Sequence, residues 1–247
     1  SAYEGIYTMM TERDRYPAFR IPTVCIPASI DNNLPGSELS IGTDTALNVI
    51  VEAMDKIKES GIASRRCFVV ETMGRDCGYL ALMSGIAAGA ERIYTNEDGI
   101  SLDDLANDVH WLRESFAHGR RLFLAVRNEN ASHNYTTDFI ARLLEEESHG
   151  MYDVRQVVLG HMQQGGSPSP FDRLLANRLG YRALNLIDDE LAAHQDGSWF
   201  IGVNESGMRP CSMDTMPSLI DAAHRRPREQ WWLQLRTIAR MVSDEVR

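Results

Sequence analysis

The stretch Arg66–Ala90, RCFVVETMGRDCGYLALMSGIAAGA, contains a strand signal and a helix signal joined by a short polar turn. Its first six residues, RCFVVE, form the short apolar run that is typical of a buried strand. From Cys77 to Ala90 the side chains are mostly small and apolar, which favours a closely packed helix. This stretch therefore predicts one strand–helix unit of a larger fold.

The same alternation extends outward from this unit in both directions. Further strands are predicted at Thr23–Pro27, Arg121–Val126, Val154–Leu159 and Trp199–Val203. Further helices are predicted at Ile41–Glu59, Ser101–Ala117 (with Ser101 and Asp104 as a capping box), Tyr135–Ser148, Phe171–Ile187 and Gln230–Val246. Strands separated by helices of ten or more residues predict an α/β fold with largely parallel sheets. Ligands of such sheets bind beyond the carboxyl ends of the strands.

Composition excludes several classes of protein. The 247 residues are 43% apolar and 24% charged, as in ordinary globular chains, and the net charge of -10 argues against a bulk nucleic-acid binder. The longest apolar run, Leu80–Ala90, is about half the length of a membrane helix, and Ser1–Arg20 lacks the apolar region of a signal peptide. The four cysteines form no C-x-x-C pair, so reduced thiols and a cytoplasmic location are predicted.

A polar loop, Ala28–Gly36, follows the first predicted strand. Asp31 is a candidate to accept a proton from a substrate hydroxyl, and Ser29, Asn32 and Asn33 are candidates to bind a polyol or a phosphate. The alternative is an Asx-turn that Pro35 and Gly36 close.

Two further strands are followed by candidate ligand groups. In Glu71–Gly78 two glycines bracket Arg75 just before a helix, a pattern that favours phosphate binding. The alternative there is a tight turn with a surface arginine. Glu129 follows the strand at Phe123 and is a candidate to hold sugar hydroxyls or, alternatively, a solvated loop acid.

The stretch Gly160–Pro168, GHMQQGGSP, is the most unusual of the chain, because its paired glycines permit close approach of the backbone to a ligand. His161 is a donor that suits phosphate, or else a structural histidine of a turn. The segment His224–Arg228 adds a local basic cluster that is either an anion site or a solvated face. Together these loops predict a site for a phosphorylated sugar. No zinc-ligand, P-loop or G-x-G-x-x-G pattern is present in the sequence.

Five segments resemble the 6-phosphofructokinase family, in the family's order. They are PASIDNN, ETMGRDCGY, RNENASHNYTTDF, VVLGHMQQGGSPSPFDR and HRRPREQWWLQLR. The resemblance is strongest to the carboxyl-terminal half of the duplicated, eukaryotic-type enzyme. It implies phosphoryl transfer from ATP to the 1-hydroxyl of fructose 6-phosphate in glycolysis, with Mg²⁺ as cofactor.

The resemblance also implies roles for individual residues. Asp31 is expected to be the base for the 1-hydroxyl, and Arg75 to stabilise the transferring phosphoryl group. Arg66 and Arg155 are expected to reach a sugar phosphate across an interface with another subunit or half. The expected substrate-binding residues are Ser29, Ile30, Asn32, Asn33, Arg66, Met73, Gly74, Glu129, Arg155, His161, Met162, Gln163, Gln164 and Arg225.

The chain departs from the family pattern at two places of this pocket. Asp31 and Arg75 are typical of catalytic halves, whereas Asn33 and Gln164 are typical of regulatory halves. The alternative function is therefore a regulatory half without catalysis that binds fructose 2,6-bisphosphate. Ala28 stands where relatives that use pyrophosphate carry lysine, which favours ATP.

The resemblance further implies two lobes with the sugar phosphate in the cleft. The first lobe is expected to comprise residues 1–42 and 163–226, and the second residues 43–162 and 227–247. The family's amino-terminal segment, which holds most of ATP and magnesium, is expected to precede Ser1. Other phosphofructokinase subunits or halves are the expected protein partners, with no nucleic acid and no membrane.

Overall fold

A computed structural model describes residues 2–61 and 64–244, and the side chains up to residue 241. Its helices are α1 Ala2–Thr11, α2 Thr43–Gly61, α3 Tyr79–Ala88, α4 Leu102–Ala117, α5 Thr137–Glu146, α6 Pro170–Ala192, α7 Met216–Leu219 and α8 Arg236–Asp244. Its strands are β1 Thr23–Cys25, β2 Arg66–Thr72, β3 Arg92–Tyr94, β4 Leu122–Asn128, β5 Asp153–Val158, β6 Ser198–Asn204, β7 Gly207–Ser212, β8 Ile220–Asp221 and β9 Arg226–Pro227. Short 3₁₀ turns lie at Pro17–Phe19, Gly160–Gln164, Met213–Thr215 and Trp231–Leu235.

The chain divides into two compact units. Unit 1 comprises Ser1–Asp44 and Pro168–Trp231, and unit 2 comprises Thr45–Ser167 and Trp232–Arg247. Helix α2 begins in unit 1 and continues in unit 2, since its first two residues lie before the division.

Unit 2 is built on a four-stranded, fully parallel sheet in the order β3–β4–β2–β5. Strands β2 and β4 are buried along nearly their whole length, as their continuous apolar runs predict. Helices α4 and α5 pack on one face through Leu105, Leu112, Phe116 and Ile140, which form a core with Phe123. Ser101 caps α4 together with Asp104, which confirms the predicted capping box.

Unit 1 contains a three-stranded sheet in the order β1–β6–β7, with a parallel pair and an antiparallel pair. Helix α6 packs on it through Leu175, Leu179 and Ala183, which meet Ile201 of β6. Helix α1 contributes Tyr3 to a second core with Phe200. The α/β prediction is confirmed, because parallel strands alternate with helices in both units.

The predicted closing helix, Gln230–Val246, is correct only in its second half. Trp231–Leu235 forms a 3₁₀ turn, and the α-helix begins at Arg236. Trp232 is buried against Tyr79, with the ring centroids 5.8 Å apart in an edge-to-face arrangement. The last predicted residues of this helix, 245 and 246, lie outside the described residues.

The sequence interpretation also left several elements out. They are α1, α7, β3, β7 and the two-stranded ladder of β8 and β9. The four cysteines are free thiols, with Cys25, Cys67 and Cys77 buried. In the part of the chain that the structure describes, no helix has both the length and the apolar character needed to cross a bilayer.

Candidate functional site

Three loops of unit 2 meet at the carboxyl edge of its parallel sheet. They follow β2, β4 and β5, and β2 lies between the other two strands, with Thr72 paired to Asn128 and Glu71 paired to Val158. Since the carboxyl ends of parallel strands share one edge, this register brings the predicted loops together. They carry Met73–Arg75, Glu129 and the turn Gly160–Gln164.

The carboxylate of Glu129 holds the loop that carries Arg75. Its Oε1 accepts a hydrogen bond from the backbone N–H of Arg75 at 2.7 Å and another from that of Gly74 at 3.2 Å. Arg75 itself is exposed and has a φ of 51°, a strained conformation for a residue with a side chain. Glu129 therefore fixes the backbone from which the Arg75 guanidinium extends.

Gly74 is required by this loop for two reasons. Its φ is 132°, in a region that favours glycine, and a Cβ atom there would lie 2.4 Å from the carbonyl oxygen of Cys77. The same Cβ would lie 2.9 Å from Nδ2 of Asn128. The loop can thus pass close to the end of β4 only without a side chain at this position.

Gln163 joins the 3₁₀ turn after β5 to the loop after β2. Its side chain is buried, accepts a hydrogen bond from the Met73 N–H at 3.2 Å and donates one to the carbonyl of Gly160 at 2.9 Å. The neighbours His161, Met162 and Gln164 are exposed. Nε2 of Gln164 lies 3.8 Å from the sulfur of Met73. The buried amide therefore supports a turn whose other side chains point outward to solvent.

A buried arginine beneath these loops escaped the sequence interpretation. Arg127, at 2% exposure, donates to Glu71 Oε2 at 2.9 Å and to the carbonyls of Glu129, Ser132 and Tyr135. Burial lowers the pKa of Arg127, and the Glu71 carboxylate opposes that effect. Glu71 and Arg127 are register partners on neighbouring strands. In the sequence, the clue to this pair is that the apolar run of β2 ends in an acid and that of β4 ends in a base.

Arg66 and Arg155 lie away from this edge. Arg66 is the first residue of β2. Arg155 lies in β5 and pairs with Phe68, which is two residues after Arg66 in β2. At about 3.3 Å per residue, Arg66 is roughly 20 Å from Thr72 along the strand. Arg66 donates to the carbonyl of Ser60 at 3.2 Å, and Arg155 lies 3.8 Å from Asp153. Within unit 2, the structure does not bring these arginines to Glu129 and His161.

The predicted residues of unit 1 lie in a loop that is closed by its own side chains. The Ser29 hydroxyl donates to Asn33 Oδ1 at 3.0 Å and accepts from the Asp31 N–H at 3.2 Å. Asn32 has a φ of 53°, donates to the carbonyl of Glu38 and accepts from the hydroxyl of Ser40. Both ends of the Asn32 amide thus stabilise the loop.

Asp31 lies at the centre of that loop and is only 9% exposed, while Ile30 beside it is half-buried. The turn is organised around the Ser29 hydroxyl, and Gly36 has the positive φ of 74° that ends the segment. The loop is thus a turn that side-chain hydrogen bonds close, and the role of the Asp31 carboxylate stays a prediction.

Arg225 lies in the turn between β8 and β9. It is exposed, with a φ of 51°. Next to it, Nδ1 of His224 lies 2.7 Å from Asp221, and this hydrogen bond lowers the pKa of the Asp221 carboxyl. The basic segment is therefore partly neutralised by an acid of the same hairpin. Asp31 and Arg225 belong to unit 1, whereas Arg75, Glu129 and His161 belong to unit 2.

The sequence profile of the family Phosphofructokinase matches residues 1–187. The chain belongs to the phosphofructokinase family. It is 42% identical to the rat platelet-type ATP-dependent 6-phosphofructokinase and 42% identical to the human muscle-type enzyme, over 98% of the chain and 32% of each relative. This phosphofructokinase-family chain thus spans about one third of the length of the curated relatives it matches.

Solved structures agree with this assignment. A phosphofructokinase structure from Saccharomyces cerevisiae superposes with a TM-score of 0.93 at 34% identity, covering 98% of this chain and 34% of that one. The Pichia pastoris phosphofructokinase in the T-state superposes with a TM-score of 0.91 at 35% identity. The match covers 98% of this chain and 29% of that one. A pyrophosphate-dependent phosphofructokinase from Marinobacter aquaeolei, at 16% identity and a TM-score of 0.68, shares the fold.

The family implies magnesium as a cofactor. Among residues 2–61 and 64–244, no group of three or more His, Cys, Asp or Glu side chains is placed to hold a metal ion. Magnesium that is held by one or two carboxylates together with substrate phosphates does not need such a cluster.

Proposed function

We propose that this chain is the fructose 6-phosphate-binding, catalytic part of an ATP-dependent 6-phosphofructokinase. The observation that carries the proposal is its 42% identity, along 98% of its length, to enzymes of that name. The Glu129–Arg75 contact supports it, because Glu129 holds the backbone from which the Arg75 guanidinium extends, and phosphoryl transfer depends on positioned charge.

Asp31 is the proposed general base. In this role its carboxylate takes the proton of the sugar 1-hydroxyl, the hydroxyl oxygen forms a bond to the γ-phosphorus of ATP, and the bond to ADP breaks. The proposal draws on the near-complete burial of Asp31, which keeps bulk water from this carboxylate. Mg²⁺, when bound with ATP, supplies neutralisation of the phosphate charge.

Arg75 is the proposed stabiliser of the charge that develops on the transferring phosphoryl group. Glu129, Met73 and Gly74 are the proposed contacts to the sugar. His161 and Gln164, exposed on the turn that Gln163 supports, are proposed to serve the 6-phosphate together with Arg225.

Ser29, Ile30, Asn32 and Asn33 shape the loop around the proposed base. Arg66 and Arg155, in the amino-terminal halves of β2 and β5, are proposed to serve the sugar phosphate of a neighbouring subunit or half. The reaction is proposed to take place in the cytoplasm, as a step of glycolysis.

The test is the variant Asp31→Asn, made in the polypeptide in which the chain naturally occurs. Loss of a general base lowers kcat by about 10²–10⁴-fold. Asparagine keeps the shape of the side chain, so KM for fructose 6-phosphate is expected to stay close to the parent value. The matched control is Asp103→Asn, at an exposed position of α4, which is expected to leave both constants unchanged.

An unchanged kcat in Asp31→Asn contradicts the catalytic role. The regulatory alternative predicts a different result, namely unchanged turnover together with lost activation by fructose 2,6-bisphosphate. Calorimetric titration of the parent chain with each of the two sugars separates these outcomes independently of turnover.

A further inference from the structure

Unit 1 contains a cavity of about 340 Å³. Its walls come from the end of the loop after β1, the end of β6, the end of α7 and the segment from β9 to the last 3₁₀ turn. The lining residues that matter here are Glu38, Val203, Leu219, Arg228, Glu229 and Trp231. None of them belongs to the residues proposed to bind the sugar. The volume lies in the range of small-molecule sites.

Hydrogen bonds hold two of the side chains that line this cavity. Nε1 of Trp231 donates to the carbonyl of Glu38 at 3.0 Å. Arg228 is held twice, because its backbone N–H donates to the carbonyl of Leu219 at 3.0 Å and its Nε donates to the carbonyl of Ile220 at 2.9 Å. The indole and the guanidinium are thus positioned before a ligand arrives, which lowers the entropic cost of binding.

The cavity combines an apolar floor with a charged rim. Val203 and Leu219 are half-buried, whereas Arg228 and Glu229 are exposed. Trp231, at 36% exposure, adds an aromatic surface between the two. A ligand with an apolar body and a charged end fits this division, because its body leaves water at the floor while its charges stay at the rim.

The charges of the rim select among such ligands. One guanidinium, that of Arg228, and two carboxylates, those of Glu38 and Glu229, belong to the lining. A phosphate ester or a polycarboxylate would therefore meet more like charge than opposite charge. A ligand that carries both signs is better matched. A guanidinium pairs with a carboxylate through two hydrogen bonds, and an ammonium group is attracted both by carboxylates and by the face of an indole.

We propose that this cavity binds a free α-amino acid with an apolar side chain. The ligand carboxylate pairs with the guanidinium of Arg228. The ligand ammonium group lies between the indole of Trp231 and the carboxylates of Glu38 and Glu229. The ligand side chain packs on Leu219 at the floor. This site is separate from the sugar site and from the reaction proposed there.

Calorimetric titration with L-leucine tests the proposal in the polypeptide in which the chain naturally occurs. Saturable binding of L-leucine is expected. Isocaproate lacks the ammonium group of leucine, and isoamylamine lacks its carboxylate. Each is expected to bind at least about tenfold more weakly, because each loses one set of charge-assisted hydrogen bonds. Glycine is expected to bind more weakly by at least the same factor, since it buries no apolar side chain.

Two variants locate the ligand in the cavity. Arg228→Gln removes the partner of the ligand carboxylate and is expected to weaken binding of L-leucine by at least about tenfold. Glu38→Gln/Glu229→Gln removes the partners of the ammonium group and is expected to weaken it by at least the same factor. The matched control is Arg209→Gln, at an exposed position of β7 outside the lining, which is expected to leave the affinity unchanged.

Several results would overturn the proposal. They are an absence of saturable L-leucine binding, an affinity of Arg228→Gln equal to that of the parent, and tighter binding of inorganic phosphate than of L-leucine by the parent. Displacement of L-leucine by fructose 6-phosphate would place the amino acid in the sugar site and also overturn it. If Arg228→Gln fails to fold, the ligand series and the double variant give the same decision. None of these measurements uses turnover, so the result is independent of the proposed catalytic function.

Discussion

Glu129 is the residue on which most of the unit 2 site depends. The sequence indicated an acid after a strand and left open whether it binds sugar or is merely solvated. The structure shows that it accepts hydrogen bonds from two consecutive backbone amides at the Arg75 loop. This contact joins residues more than fifty positions apart, and therefore no local pattern predicts it.

Glu129→Ala is expected to lower the free energy of unfolding by about 1–3 kcal/mol, because it leaves the amides of Gly74 and Arg75 without their acceptor. Glu129→Gln retains an oxygen at the same place and is expected to recover most of that stability. Urea unfolding of both variants measures the difference.

Turnover assays of the same two variants separate the charge of Glu129 from its hydrogen bonds. If the carboxylate also binds sugar hydroxyls, Glu129→Gln raises KM for fructose 6-phosphate although it is stable. Equal stability of the alanine and glutamine variants contradicts the role assigned to Oε1. Glu146→Ala, at the end of α5 and exposed, is the matched control.

At the scale of elements, prediction succeeded where hydrophobic pattern and local chemistry agree. Strands β2 and β4 are continuous apolar runs, and α4 begins at a capping box. Strand β7 was missed because it contains Pro210, which is tolerated at a sheet edge and breaks the expected pattern. Strand β3 was missed because its three residues are too few for any periodicity.

The closing helix was predicted too early for a different reason. The spacing of apolar residues over 231–235 is compatible with an α-helix, and sequence alone does not distinguish a 3₁₀ turn from it. Burial of Trp232 against Tyr79 is a tertiary contact, and it accompanies the tighter turn.

The pairing of β2 with β4 gives a prediction at this scale. Arg127→Met removes the guanidinium that neutralises Glu71 and satisfies three loop carbonyls. Removing one partner of a buried ion pair costs about 3–5 kcal/mol, and this loss is expected in thermal or urea unfolding.

The double variant Arg127→Met/Glu71→Leu removes both charges and is expected to recover part of the loss. The exposed pair of Lys56 and Glu52 is the control, since Lys56→Met is expected to change stability by less than about 1 kcal/mol. If Arg127→Met lowers the free energy of unfolding by as little as Lys56→Met does, the buried pair of Arg127 and Glu71 does not stabilise the loops that follow β2 and β4.

At the scale of the whole molecule, the sequence placed candidate groups in both units, and the resemblance assigned them to one reaction. Within unit 2 the structure brings Met73, Gly74, Arg75 and Glu129 together with the turn at Gln163. It places Arg66 and Arg155 elsewhere on the sheet. Strand order decides which loops are neighbours, and no motif encodes it.

If Asp31 and Arg75 act in one chemical step, the effects of their substitutions on the activation free energy of turnover are not additive. Asp31→Asn/Arg75→Gln is expected to lower kcat by little more than the more damaging single change. A double variant whose loss equals the product of the two single losses indicates independent actions. Stopped-flow measurement of product formation, with Asp103→Asn/Arg142→Gln as the exposed control pair, provides the comparison.

The single oxygen through which Glu129 holds two amides has an evolutionary consequence. Under the proposed roles, the Glu129 carboxylate determines both the affinity for the sugar and the position of the Arg75 guanidinium. Selection for weaker sugar affinity at this position would disturb the alignment of the reacting phosphate at the same time. Adaptation of affinity in this lineage is therefore expected at peripheral contacts such as Gln164, whose replacement leaves the backbone beneath Arg75 in place.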